Sequence, residues 1–222
     1  MEKCKFENMT YLIKKPENFD ENKKYPVILL LHGAGSRGKE TTGLEKNPFF
    51  LITEKHEKFP FIVYAPLCSE NTWFDMFETL ERFVNKIVGE KYTDERRIYG
   101  MGASMGGYGT WQLGMSLPDT FAAIVPICGG GMYWNAERLK NTPVWAFHGA
   151  KDPAVKCEES IKMTDAVKRH GGDARLTVYP ENEHDAWSDT YKNYEVFEWL
   201  LSHEKGGAAE YADEYVGSKN FG

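Results

Sequence analysis

Cysteine is scarce and unpatterned in this 222-residue chain. The four present, Cys4, Cys68, Cys128 and Cys157, form no Cys-x-x-Cys pair and share no ligand spacing with histidine. That excludes a zinc module and a disulfide framework, and reads as free thiols in a reducing compartment. The opening residues, Met1-Glu2-Lys3-Cys4-Lys5, lack the apolar stretch of a signal peptide. No apolar run approaches the ~20 residues of a membrane span. These absences lead to the expectation of a cytoplasmic protein with no membrane partner. Clustered basic charge is missing too: Arg96-Arg97 is the nearest approach, and the formal net charge is -6. A nucleic-acid partner is therefore excluded. Repeats and low-complexity blocks are also absent.

What is present is a regular alternation. Short apolar runs rich in β-formers recur at Val27–Leu31, Phe61–Tyr64, Arg97–Met101, Ala122–Val125, Val144–Phe147 and Arg175–Tyr179. Most are continuous rather than alternating, the pattern of strands covered on both faces. Between them lie stretches with helical spacing. Phe77, Leu80, Phe83, Val84, Ile87 and Val88 form one stripe. Ile161, Thr164, Ala166, Val167 and His170 form a looser one, stopped by Gly171-Gly172, and Tyr194, Phe197, Trp199, Leu200 and Leu201 mark a last helix. Strand-helix alternation predicts an α/β fold: a mostly parallel central sheet with helices on both faces. A further strand over Thr10–Lys14 is expected near the sheet edge. Hydrophobic residues make up 41% of the chain, enough for one substantial core without a metal or disulfide staple. Residues 1–203 read as a single domain. From Glu204 to Gly222 the composition changes to glycine, acidic residues and scattered aromatics, which reads as a poorly ordered extension or as a strap docking its aromatics on a surface.

In open parallel sheets, ligands bind beyond the carboxyl ends of the strands. After the run ending at Met101 comes Gly102-Ala103-Ser104-Met105-Gly106-Gly107, a Gly-x-Ser-x-Gly segment between an expected strand and an expected helix. A serine on so tight a turn needs small neighbours two residues either side, because Cβ atoms there would clash. Ser104 would then stand exposed as a nucleophile, with the Met105 N–H at the helix start aimed at an oxyanion. The bland alternative, a glycine-rich turn with an incidental serine, does not explain the flanking elements.

A nucleophilic serine needs a base, and the base an orienting acid. After Val144–Phe147 comes His148-Gly149-Ala150-Lys151-Asp152, and after Arg175–Tyr179 comes Pro180-Glu181-Asn182-Glu183-His184. Asp152 and His184 thus follow strand ends in the order serine, acid, histidine. Among the other histidines, His56, His170 and His203 read as solvated, whereas His32 and His148 follow strands and read as bonding loop backbone to shape the site. Asp185 adjoins His184 and would point away from it, Asp173 lies at the wrong strand end, and Asp165 sits on a helix. The second oxyanion donor is expected from His32-Gly33-Ala34-Gly35-Ser36, with the Ala34 N–H as the assignment and Gly35 as runner-up. This loop lacks both the Gly-Lys-Ser/Thr ending of a phosphate loop and the Gly-x-Gly-x-x-Gly of a dinucleotide site, and no cofactor or metal is expected.

These segments, together with Asp94–Tyr99 and Phe121–Gly130, resemble the α/β-hydrolase superfamily over roughly residues 25–200. The likeness falls among its small serine esterases of the carboxylesterase/phospholipase, dienelactone-hydrolase-like and feruloyl-esterase-like kinds. The resemblance implies Ser104, Asp152 and His184 as catalytic triad, and Ala34 and Met105 as oxyanion N–H groups. Two departures are Ala103, where such enzymes often carry a bulkier residue, and Ala154-Val155-Lys156, where a second proline is common. Trp73 and Trp187 both follow strand ends and are expected to bind substrate, with Gly35 letting backbone approach it. The loop Cys128–Trp134 is a further rim candidate, and Trp111 and Trp145 read as core. The insert Ser36–Pro60 is too charged for a lipase lid, so no large lid is expected and the partner is a small or soluble ester, of a short acyl or hydroxycinnamoyl acid. A peptidase or thioesterase on the same triad, and a non-catalytic binding protein of this fold, are the rival readings.

Overall fold

The structure, a computed structural model, describes residues 1–208. Eight strands form one sheet: β1 (Glu2–Phe6), β2 (Met9–Lys14), β3 (Tyr25–Leu31), β4 (Ile62–Pro66), β5 (Thr93–Ala103), β6 (Ala123–Ile127), β7 (Val144–Gly149) and β8 (Ala174–Tyr179). Their spatial order is β1-β2-β4-β3-β5-β6-β7-β8. Strands β3 to β8 run parallel, while β2 pairs antiparallel with β4 and with β1. This is the mostly parallel sheet expected, and the fold is that of the α/β-hydrolases.

Strand β1 was not expected. Its sequence, Glu-Lys-Cys-Lys-Phe, carries charge on most positions and no apolar run. It forms because an edge strand needs one partner and only one covered face. A tight turn at Glu7 (φ 51°) folds it back on β2.

The helices are α1 (Thr42–Glu45), α2 (Pro48–Thr53), α3 (Phe77–Val88), α4 (Met105–Ser116), α5 (Glu158–Arg169), α6 (Trp187–Lys192) and α7 (Tyr194–Leu201). Because side chains alternate along a strand, each inner strand feeds two cores. Val27, Leu29 and Leu31 of β3 face one core with Phe83 of α3, Trp111 of α4 and Met163 of α5. Ile28 and Leu30 face the other, with Phe49 of α2, Tyr191 of α6 and Phe197 of α7. Each large apolar side chain buried this way contributes roughly 1.5–3 kcal/mol. On α3 the buried residues are the expected Leu80, Phe83, Val84 and Ile87. On α5 the stripe differs: Ile161 is exposed, and Ser160, Met163, Thr164, Ala166 and Val167 are buried. Two polar residues on the covered face disguised its direction.

Beyond α7, β9 (His203–Glu204) pairs with β10 (Gly207–Ala208). The buried Glu204 carboxylate accepts from Arg96 at 2.8 Å, and the Lys205 N–H donates to the Arg96 carbonyl. The start of the expected extension is therefore tied to β5. The rest of it, 209–222, lies outside the described residues.

Among the described residues, no helix is long and apolar enough to cross a membrane.

Candidate active site

Strand β5 ends at Ala103 and α4 starts at Met105, leaving Ser104 alone in the turn at φ 56°, ψ -118°. That conformation is strained for any residue with a Cβ. Glycine makes it possible: a Cβ on Gly102 would sit 2.4 Å from the Gly106 carbonyl oxygen, and one on Gly106 would sit 2.0 Å from that of Leu31. Helix α4 could not approach β3 and β5 with larger residues at these positions.

Ser104 Oγ lies 2.9 Å from His184 Nε2, and His184 Nδ1 lies 2.7 Å from Asp152 Oδ2. A carboxylate accepts only, so Nδ1 carries the proton and Nε2 of the neutral ring accepts from the serine. Three loops, after β5, β7 and β8, deliver these groups to one point. The loop after β8 is seated on β7 so closely that a Cβ on Gly149 would stand 2.0 Å from the Glu183 carbonyl oxygen.

Asp152 is held from every side. Its Oδ1 accepts from the Ala154 and Val155 N–H groups at 2.8 and 2.9 Å. Its Oδ2 faces His184 and also His148 Nε2, at 3.3 Å. Burial pushes the Asp152 carboxyl up, yet the hydrogen bonds from His184, Val155 and Ala154 outweigh it and leave it below the ordinary value. His148 is fully buried, and its Nε2 also faces the Val155 carbonyl at 2.9 Å. Both neighbours are acceptors, so this nitrogen bears a proton. Nδ1 therefore accepts from the Ser160 hydroxyl at 2.7 Å, and the same Oγ lies 3.1 Å from the Gly129 carbonyl. The expected backbone-bonding role of His148 is seen; its contact with Asp152 and its partner Ser160 had no signal in the sequence.

The loop after β3 runs beside Ser104: a Cβ on Gly33 would come 3.5 Å from the serine Cβ. Ala34 opens a single 3-10 turn, Ala34–Ser36. Neither the Ala34 nor the Met105 N–H donates to a turn, loop or cap carbonyl among the described residues. His32 shapes this loop, as expected. Its Nε2 accepts from the Cys68 N–H at 3.0 Å, so Nδ1 bears the proton and donates to the Gly33 carbonyl at 2.7 Å. Burial lowers its pKa, in keeping with a neutral ring.

A cavity of about 350 Å³ opens on Ser104 and His184, walled by Ala34, Gly35, Asn47, Pro48, Trp187 and Tyr191. Trp187 is where the sequence put it, its ring edge-on to His184 at 5.4 Å. Trp73 is not. It is 0% exposed, packs on the His32 ring and donates Nε1–H to the His32 carbonyl at 3.0 Å. It supports the loop from beneath instead of meeting substrate. A strand-end position alone could not distinguish the two, because the short 3-10 turn Trp73–Met76 rotates the indole inward. Asn47, Pro48 and Tyr191 were missed. Asn-Pro signals a helix start, but nothing local says that this start borders the serine. The rim candidate Cys128–Trp134 lends no residue to the cavity walls.

Two larger grooves, of about 680 and 750 Å³, lie away from Ser104. They are bordered by residues that precede the parallel strands, such as Pro60 and Pro143, at the edge opposite the serine.

His56 corrects another expectation. It is 6% exposed, not solvated, with Tyr194 at 4.1 Å and Phe197 at 5.0 Å. Its charged sequence neighbours point outward while the ring turns into an aromatic cluster. His203 is half-buried against Trp199, and only His170 is exposed.

Among the described residues one group of three potential metal ligands falls together: Cys128, Asp152 and His184, with ligand atoms within 4.8 Å of one another. Two of the three are already joined by the Nδ1–H bond, and burial pushes the Cys128 thiol up to about 12, away from the thiolate a metal would need.

A strained serine above a parallel sheet, hydrogen-bonded to a histidine that a buried carboxylate orients, defines a protein of the α/β-hydrolase class. The chain belongs to the dienelactone hydrolase family, whose profile matches residues 51–212. Among curated proteins, dipeptidyl-peptidase 5 of Schizosaccharomyces pombe is 26% identical over 87% of this chain and 35% of its own length. Probable feruloyl esterase C of Aspergillus terreus is 22% identical over 73% of this chain and 62% of its own. The chain thus spans about a third of the length of the first of these relatives and under two thirds of the second. Among solved structures, a thermostable esterase superposes with a TM-score of 0.75 and 32% identity, over 88% of this chain and 59% of that one. A ferulic acid esterase superposes at 0.64 with 19% identity, over 83% and 89%, a likeness of fold.

Proposed function

We propose that this chain is a serine esterase that cleaves small or soluble carboxylic esters through an acyl-enzyme on Ser104. The observation that carries the reading is the unbroken hydrogen-bonded chain from Ser104 through His184 to Asp152. His184 Nε2 takes the hydroxyl proton as Ser104 attacks the carbonyl carbon. Asp152 holds the ring in the tautomer that leaves Nε2 free, and stabilises the imidazolium once formed. The Ala34 and Met105 N–H groups hold the oxyanion, each worth about 3–4 kcal/mol in systems of this kind. The imidazolium then protonates the departing alcohol. Water, deprotonated by the same nitrogen, releases the acid and restores the serine.

Ester is favoured over peptide by what the cavity lacks. A dipeptidyl-peptidase must hold the free α-ammonium of its substrate, and no carboxylate lines this cavity among the described residues. Peptide cleavage is the second reading, favoured by the dipeptidyl-peptidase relatives. With Trp73 buried, an aromatic wall for hydroxycinnamoyl groups rests on Trp187 and Tyr191. A panel of aryl acetates, ethyl ferulate, acyl thioesters and aminoacyl amides tests the reading, together with labelling by a fluorophosphonate. Ester turnover well above amide turnover, with one covalent label, is expected. Preferential amide cleavage, or no labelling, would overturn it.

A further inference from the structure

Asn47 presents an unusual economy of hydrogen bonds. It is the N-cap of α2, and its Oδ1 accepts from the Phe49 N–H at 3.0 Å. Its backbone carbonyl accepts from the Phe50 N–H at 3.0 Å, and its backbone N–H donates to the Leu44 carbonyl at 3.1 Å. The cap also decides which way round the amide sits: an oxygen must face the Phe49 N–H, so the nitrogen must face the other way. The one polar atom left, Nδ2 with two N–H groups, has no hydrogen-bond partner among the described residues. The residue is only 8% exposed, and it lines the cavity that opens on Ser104 and His184.

The nitrogen is not among the fully buried unpartnered atoms, so it faces the open space of the cavity, where a substrate oxygen can accept from it. The rest of the wall offers little competition. Pro48 has no donor, Ser36 Oγ donates to the Gly43 carbonyl at 3.4 Å, and Ala34 is committed to the oxyanion in the proposed mechanism, which leaves the Trp187 indole and the Tyr191 phenol as the other side-chain donors. Ligand cavities are mostly apolar with a few placed polar groups that fix orientation. Among these, the Asn47 amide is the donor whose orientation is fixed by a helix cap.

Resting on the esterase reading, we infer that Asn47 is a specificity-determining residue, whose Nδ2–H donates to a second acceptor oxygen of the substrate. The substrate class is therefore narrowed to esters that carry an ether, carbonyl or hydroxyl oxygen beyond the scissile group. Pure hydrocarbon esters of equal size leave the amide unpaired, and the enzyme discriminates against them. Because the hydrogen bond is neutral and orients the substrate, the preference is about tenfold in kcat/KM.

Isosteric pairs test this. On the acyl side, para-nitrophenyl pentanoate is compared with para-nitrophenyl methoxypropanoate, in which an ether oxygen replaces one methylene. On the alcohol side, butyl acetate is compared with methoxyethyl acetate. Rates are normalised to alkaline hydrolysis, so that the inductive effect of the oxygen cancels. The wild-type protein should prefer the oxygenated member of at least one pair about tenfold. Asn47→Asp keeps an oxygen for the Phe49 N–H and caps the helix as well as asparagine does, but it turns an acceptor towards the cavity. In that variant the preference should vanish or reverse, read as the ratio of the two members within each pair so that any common change in turnover cancels. Equal rates within both pairs in the wild type, or a preference that survives Asn47→Asp in a protein of unchanged melting temperature, would overturn the inference and leave the esterase reading standing. Failure of both proteins to cleave any member would overturn both.

Discussion

Ser104 Oγ and His184 Nε2, eighty positions apart in the chain, stand 2.9 Å from each other. The serine backbone is held at φ 56° to make this approach. Ser104→Ala removes the hydroxyl without altering the turn. Ester turnover should fall by about four orders of magnitude or more, with fluorophosphonate labelling abolished and the melting temperature not lowered. Retention of labelling would show that another nucleophile does the work.

Asp152→Asn keeps the shape and removes the charge. The amide can no longer hold Nδ1–H in place, so kcat should drop by about 10³–10⁴-fold. The same substitution bears on stability. Because the folded carboxyl lies below its ordinary value, its stabilisation is complete above the unfolded value and is lost as pH falls through the folded one. Urea denaturation of wild type at falling acid pH should show this loss, and the Asp152→Asn variant should show less of it.

Ala34→Pro deletes one oxyanion donor. Gly33 is already extended (φ -75°, ψ 173°), as a residue before proline must be, and Ala34 opens a 3-10 turn. The expected result is a kcat lower by about 10²–10³-fold with KM nearly unchanged. An unaltered kcat would remove Ala34 from the oxyanion assignment.

His148 and Asp152 meet inside the protein at 3.3 Å. His148→Gln retains a donor near the position of Nε2, whereas His148→Asn retains only the Ser160 end. Asparagine should therefore cost about 10- to 100-fold in kcat, the range of a hydrogen bond to a charged group, with KM little changed, and glutamine should recover most of it. Equal losses in the two variants would reduce His148 to a packing role.

Burial lowers the His56 pKa to about 4, partly offset by its hydrogen bond with the Tyr191 carbonyl. The unfolded chain takes up this proton at an ordinary histidine value near 6.5. Between those two values the unfolded state binds more protons, so stability is full above about pH 6.5 and declines towards pH 4. His56→Phe should flatten this part of the stability profile in chemical denaturation, while activity at neutral pH is retained.

The sequence by itself determined the class of fold and the identity of the hydrogen-bonded trio. Continuous apolar runs require cover on two faces, which makes a parallel sheet with helices either side. Gly102 and Gly106 around Ser104 are legible because only glycine escapes a clash that any such turn produces. Asp152 and His184 are legible because each follows a strand, and strand ends share one edge of a parallel sheet. Local signals stopped there. Whether Trp73 or Trp187 met the cavity depended on how each short helical turn rotated its indole, and Trp73 was buried under His32. The charged edge strand β1 and the burial of His56 followed from neighbours distant in sequence. So did the junction of Asn47, Pro48 and Tyr191 beside Ser104, since α2 and α6 are far apart in the chain and meet only in the folded structure. Backbone strain and strand order write themselves into nearby residues; the walls of a cavity come from elements that meet only in the folded chain.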